Sequence, residues 1–327
     1  IILPNYQIFT EDIYSDSIYP NCTFLLTALF NRFPFSITEI ILALFALSIP
    51  VGLGFAIFRK LRWRNYFLLL FSAASVLYAC FYFFWGFNYY RQPLLERINI
   101  AKSSIDSTSF RNALESILED ANASYLEIDA MNKQEIDGAI ERGFERVADR
   151  LRLEFPAGKR KPKSLIFNAI LDKTLTNGFF SPLFHEIHVN SKLLPVEFPF
   201  TLAHEKCHQI GIASEADANF LAYLVCISSD NPVVQYSAKM DVLGEFLLKA
   251  RRTLSDYSEV RAKVAPGIIE DFHKINNRWR QHAGAVSRVS RRTYDSYLKA
   301  NRISEGIDNY AGVVEMVVLW QANEEKY

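Results

Sequence analysis

The chain has no excess charge of either sign: 36 Lys and Arg offset 36 Asp and Glu over 327 residues. That balance removes the overall electrostatic argument for a nucleic-acid partner or an acidic one, and leaves only local patterning to inform. Cysteine is scarce. Cys22, Cys80, Cys207 and Cys226 have no CxxC spacing, which argues against both a zinc knuckle and a disulfide framework. No internal repeat or low-complexity tract is visible. The first residues, Ile1-Ile2-Leu3-Pro4, include neither an initiator Met nor a basic n-region, which leaves room for a preceding hydrophobic segment. Apolar residues are what the chain has in plenty. The 50% hydrophobic and 14% aromatic content is high for a soluble protein, and two segments account for it.

The first segment, Phe35 to Phe58, carries Glu39 as its one charge; the second, Tyr66 to Tyr90, carries none. Each is long enough for the roughly 20 apolar residues a helix needs to cross a bilayer core, and the pair reads as a transmembrane hairpin. Pro50, with Gly52 and Gly54, predicts a kink in the first helix, which a membrane span tolerates. Arg59, Lys60, Arg62 and Arg64 crowd the connection. The positive-inside rule puts such a loop in the cytoplasm and the flanking chain outside, with Trp85, Tyr89 and Tyr90 as an aromatic belt at the outer interface.

Before the hairpin, residues 1–34 are aromatic and mildly acidic and read as a lead-in without chemistry. After it, apolar stripes at Phe110, Leu114, Ile117, Leu118 and Leu126, and at Ile136, Ile140, Phe144, Val147 and Leu151, predict amphipathic helices over 107–127 and 132–154. The stretch 156–163 (PAGKRKPK) reads as a basic exposed loop. Ser164–Leu171 and Leu183–Asn190 read as strands, with turns between them. In the second, His185 and His188 alternate sides, so at most one could approach a common centre; the strand is a candidate edge for pairing with an extended peptide. From Asn231-Pro232 onward the pattern is helical. Arg251, Arg252, Lys274, Arg278, Arg280, Arg288, Arg291, Arg292 and Lys299 read as solvated faces, with contact to anionic headgroups as the alternative.

One stretch proposes a chemistry directly. Residues 204–208 read HEKCH, an HExxH pattern. On a helix, His204 and His208 share a face and can hold one zinc ion, with Glu205 beside them as general base. Gly211 breaks that helix, and a second is expected from Ser214, an N-cap, to about Ser228. Glu215 is the preferred third ligand, completing a two-His, one-Glu set that leaves a fourth position open. Asp217 is the alternative third ligand, pointing elsewhere on the same helix. Asn219, four residues on from Glu215, is expected to support it. Cys207 is read as a packed core residue in preference to a ligand, and Lys206 as solvent-exposed or near a substrate. Tyr223, Tyr294, Tyr297 and Tyr310 are candidate oxyanion stabilisers.

The run AHEKCHQIGIASEADANFLAYL (203–224) resembles the core of a group of bacterial membrane proteins, domain-of-unknown-function family 3810, related to zincin metallopeptidases. IYSDSIYP (13–20), PFS (34–36), WGFNYYRQPL (85–94) and YDSYLKANRISEGIDNYAGVV (294–314) extend the resemblance over most of the chain. It implies a membrane-anchored zincin-like domain with His204 and His208 on the metal, Glu205 as base, and Glu215 in the third-ligand segment. Six residues separate His208 from Glu215, fewer than in most glutamate zincins, and Ser214 stands where a metzincin places its third histidine.

The expected fold is α+β and mainly helical: a lead-in (1–34), a transmembrane helical hairpin (35–90) and a zincin-like metallopeptidase domain with a small sheet (91–327). The expected activity is zinc-dependent hydrolysis of a peptide or protein substrate, with no nucleic acid. The expected location is the bacterial inner membrane, with the catalytic domain extracytoplasmic. The alternatives are a non-catalytic sensor or scaffold, and a structural zinc site closed by Cys207 or Asp217.

Overall fold

The computed structural model describes residues 10–58, 62–158 and 160–326. Arg59 and Lys60 of the basic connection, Lys159 of the basic loop and residues 1–9 of the lead-in lie outside the described residues. The chain is mainly helical with one small sheet.

The two apolar runs form helices α2 (Ile37–Ile57) and α3 (Trp63–Phe84), each long and apolar enough to cross a membrane. Almost none of their residues is buried in the protein, which separates them from core helices, whose apolar stripe is buried. The helix before them, α1 (Tyr19–Phe30), follows a π-helical stretch, Thr10–Ile18. Together they do more than lead in. Tyr19 is fully buried and its hydroxyl donates to the Gln209 carbonyl at 2.8 Å. Glu11 accepts from Arg91 at 2.8 Å and from the Gln92 amide at 3.0 Å.

The amphipathic stripes fold as expected into α4 (Ser107–Ser124) and α5 (Lys133–Leu151). Asp106 caps the first by accepting from the Ser109 amide at 2.7 Å, and Asn132 caps the second, satisfying amides that have no partner within the helix. Their apolar faces close onto α7 (Phe198–Gln209), α8 (Glu215–Ile227), α9 (Pro232–Thr253) and α12 (Val313–Gln321) in one continuous core.

The sheet corrects the strand readings. Strand β1 is Pro162–Lys163, β2 is Gly178–Ser181 and β3 is Glu186–Val189, in the order β1-β3-β2. The run 164–171 is not a strand: it turns at Ile166–Asn168 and becomes helix α6 (Ala169–Thr174). An apolar run of that length does not by itself distinguish strand from helix. Strand β3 starts three residues later than expected because His185 has a left-handed φ of 47°. It is the central strand, parallel to β1 and antiparallel to β2, so it cannot be the peptide-pairing edge. Beyond the sheet, α10 (Pro266–His282) and α11 (Ala285–Ala300) complete the helical body.

Candidate metal centre

The two histidines stand on α7, which ends where Gly211 takes a φ of 95°. That conformation suits glycine, and here a Cβ would also approach Tyr19 Cε1 to 3.0 Å. The turn drops α8 back beside α7. Ser214 caps α8 as expected, accepting from the Asp217 amide at 3.3 Å, and Glu215 in the first turn is thereby brought to the histidines.

The convergence is close. His204 Nε2 and His208 Nε2 lie 3.0 Å apart, and Glu215 Oε2 lies 3.1 Å from the first and 3.4 Å from the second. A tetrahedral zinc with bonds of roughly 2.0–2.2 Å separates neighbouring ligand atoms by roughly 3.3 Å, so the spacing fits such an ion. Among the described residues, these three side chains form the one grouping of this kind. The outer nitrogen of each ring is already engaged. His204 Nδ1 meets Asn219 Oδ1 at 2.7 Å, and His208 Nδ1 meets the Ile212 carbonyl at 2.8 Å. Both acceptors require Nδ1 to carry a proton, so in the neutral ring the Nε2 lone pair faces the gap. Asn219 therefore supports His204 and not Glu215 as expected, because α8 crosses α7 with that face toward the first histidine.

Electrostatics point the same way. Burial disfavours charge on His208, but the adjacent Glu215 carboxylate outweighs it and raises the ring to about 9. Burial likewise opposes charge on Glu215, yet the two histidines hold its carboxyl well below the usual range. A buried carboxylate in contact with two imidazoles draws positive charge into the gap, and a metal ion would meet that demand as a proton does.

Glu205 is buried beside this group, and its Oε2 has no hydrogen-bond partner. Burial raises its pKa, with the histidines lowering it and Glu215 raising it. Strand β2 runs directly over it: a Cβ on Gly178 would come within 2.8 Å of Glu205 Cγ. Only glycine permits that approach.

Of the four tyrosines, two reach the site. The Tyr294 hydroxyl donates to Glu215 Oε1, and Tyr310 stacks on His204 with centroids 6.0 Å apart. Burial first, then the Glu215 charge, keeps both phenols well above their usual range, so both are donors at neutral pH. Tyr297 bonds Tyr89 at 3.0 Å, and Tyr223 sits in the helical core.

Other expectations need correcting. Lys206 is fully buried, paired with Asp137 at 2.5 Å and with Glu141. Neither His185 nor His188 approaches the cluster: the first lies against Tyr19 and Phe180, the second stacks on Phe179 and meets Ser36. Trp85 is buried with its ring edge-on to His208 at 6.1 Å, and Tyr89 packs beside it, so these two face the site and not a headgroup layer. Cys207 is fully buried in the core, as expected, its thiol raised well above the usual range by burial and then by Cys226. Asp217 accepts from the Leu94 amide at 3.2 Å.

The family model described as Protein of unknown function (DUF3810) matches residues 14–318, most of the chain. No curated protein and no solved structure matches it.

Proposed function

The chain belongs to that family of unknown function, and we propose that it is a membrane-anchored, zinc-dependent peptidase with a zincin-like domain over 91–327. His204, His208 and Glu215 are its metal ligands, and Glu205 is its general base. One observation carries the reading: two Nε2 atoms and Glu215 Oε2 converge within 3.0–3.4 Å, each imidazole fixed from behind, beside a buried carboxylate with a free oxygen.

Zinc, when bound, supplies Lewis-acid polarisation of a carbonyl and lowers the pKa of water to about 7. The chain's own residues supply the rest. Asn219 and the Ile212 carbonyl hold the imidazole tautomers. Glu205, raised by burial, accepts the proton of the attacking water and returns it to the leaving amine. Tyr294 and Tyr310 are phenol donors close enough to Glu215 and His204 to steady charge developing at the carbonyl oxygen. The arginine-rich connection between α2 and α3 supports a cytoplasmic loop and an extracytoplasmic site.

A structural zinc site is the second reading, favoured by the burial of all three ligands. It needs a fourth protein ligand. The two candidates are occupied otherwise, Asp217 with the Leu94 amide and Cys207 within the α7–α8 core.

Hydrolysis of a fluorogenic peptide library by the purified full chain, compared with Glu205→Gln, tests the proposal. The expected result is loss of about 10²–10⁴-fold in rate with zinc content unchanged. Equal rates would remove Glu205 as base and leave a scaffold or structural site as the better account.

A further inference from the structure

Helix α11 and the segment 166–170, where the turn runs into α6, carry apolar side chains that the protein leaves uncovered. Ile166, Phe167 and Ile170 are 77%, 56% and 61% exposed, and Val286 and Val289 are 53% and 63% exposed. Helix α11 packs against α6, so these five exposed side chains stand on adjoining elements. Scattered apolar residues need no explanation; a grouping of large ones marks an interaction site.

Both elements are tied to the ends of the apolar hairpin. The amides of Ile166 and Phe167 donate to the Glu39 carboxylate at 2.8 and 2.6 Å. Glu39 lies in the first turn of α2, so that turn is held at the mouth of the span. At the other end, Tyr297 of α11 packs edge-on against Phe81 of α3 at 6.2 Å, and Tyr82 donates to Asn301 at 3.3 Å. Phe81 precedes the last residue of α3 by three positions, about 4.5 Å along a helix axis. The C-terminal end of α11 therefore sits at the level of the last turn of the span, which for a membrane helix is the headgroup boundary.

Charge completes the pattern. Val286 and Val289 are three residues apart and share a face, while Arg288, Arg291 and Arg292 are exposed on the adjoining flank. Apolar side chains on one face with arginines beside them are the composition of a helix that lies in a lipid interface, and the arginines suit an anionic headgroup layer.

The geometry points to an in-plane lipid-binding surface formed by α11 and the 166–170 turn, seated in the headgroup and upper acyl region of the same leaflet that the outer ends of the hairpin enter. This goes beyond the hydrolytic reading and rests on the hairpin crossing a bilayer. It has a consequence for the site. Tyr294, the donor to Glu215, stands on α11, so the lipid surface and the metal cluster bear on one helix.

The test is spin-label accessibility in the full chain reconstituted in nanodiscs of phosphatidylcholine, with and without phosphatidylglycerol. Cys22 and Cys80 are replaced by serine and alanine; Cys207 and Cys226 are fully buried. Labels are placed at Val289→Cys and Phe167→Cys, with Leu77→Cys inside α3 as the reference. Greater accessibility to oxygen than to a nickel chelate at 289 and 167, increasing with phosphatidylglycerol, is the expected result. Accessibility to both reagents at 289 and 167, with Leu77 in lipid, overturns the proposal alone. Shielding of 289 from both reagents overturns it in favour of a protein partner. Aqueous accessibility at Leu77 overturns the membrane reading and the proposal with it.

Discussion

Glu215 and Glu186 are both buried carboxylates beside histidines, one on α8 and one on β3, and their surroundings are opposite. Glu186 is saturated. It accepts from Lys163 Nζ at 2.6 Å, from Thr38 Oγ1 at 2.6 Å, and from the Thr38 and Ile37 amides at 2.9 and 3.0 Å. Those amides open α2, so the carboxylate also meets the positive end of a helix. Its neighbour His188 lies 2.8 Å from Ser36 Oγ, which caps that same helix. Burial opposes the charge on Glu186, but Lys163 and Thr38 hold the carboxyl below its usual range. Glu215 accepts from Tyr294 on Oε1, and its Oε2 lies 3.1 and 3.4 Å from the Nε2 atoms of His204 and His208, with no backbone amide or lysine on it. The same residue types thus build a clamp in one place and, on the proposed reading, a metal receptor in the other. The difference lies in whether donors fill the lone pairs, since a buried group left without a partner carries its full desolvation cost. The clamp also ties the strand next to β2, and hence the wall over Glu205, to the start of the apolar hairpin.

The comparison breaks most sharply at the clamp. Glu186→Ala leaves Lys163 buried without its counter-charge, and a loss of about 3–5 kcal/mol in folding stability is expected, read by thermal unfolding of the full chain in detergent. Zinc per folded molecule should not change. A variant of normal stability would show that Glu186 is not a clamp.

Asn219→Ala acts at the receptor. Without its partner on His204 Nδ1, the ring loses its fixed tautomer, and zinc affinity should fall about 10–100-fold in a chelator competition, with little change in unfolding temperature. Unchanged affinity would mean that the His204 ring is held by other contacts.

The smallest effect is the acid response of the two buried histidines at β3. Burial depresses His185 to about 3, and burial, opposed by Glu186, depresses His188 to about 4, against about 6.5 in an unfolded chain. In that interval the unfolded state binds more protons, so stability rises with pH. The contribution is complete above about pH 6.5 and is lost as pH falls toward 4 for His188 and toward 3 for His185. His188→Gln should flatten part of that slope in unfolding measured from pH 7 to pH 4.5; an unchanged slope would place the titration elsewhere.

How far the sequence carried depended on distance along the chain. His204, Glu205, His208 and Glu215 fall within two adjoining helices, where spacing alone sets the faces. The apolar hairpin and the stripes of α4 and α5 were equally local. Lys206 reads as solvated in the sequence because its partners Asp137 and Glu141 are 69 and 65 residues away, and the adjacent Glu205 points to another side of the helix. Tyr294 reaches Glu215 across 79 residues, so nothing short of the fold distinguishes it from Tyr223. Asn219 was placed on the correct helix but given the wrong partner, since i and i+4 spacing says which face it occupies and not how α8 crosses α7. Strand β3 lost its assigned role as an edge because β1, only two residues long, gives no periodic signal and yet occupies the edge beside it.

The central claim is that the cluster on α7 and α8 is a metal centre and the one on β3 is not. Zinc stoichiometry by elemental analysis of the full chain, after dialysis against a weak chelator, tests it for the wild type, His208→Ala and His188→Ala together. The account predicts one zinc per chain in the wild type, loss in His208→Ala, and retention in folded His188→Ala. Absence of zinc from the wild type, or its retention in His208→Ala, would contradict it.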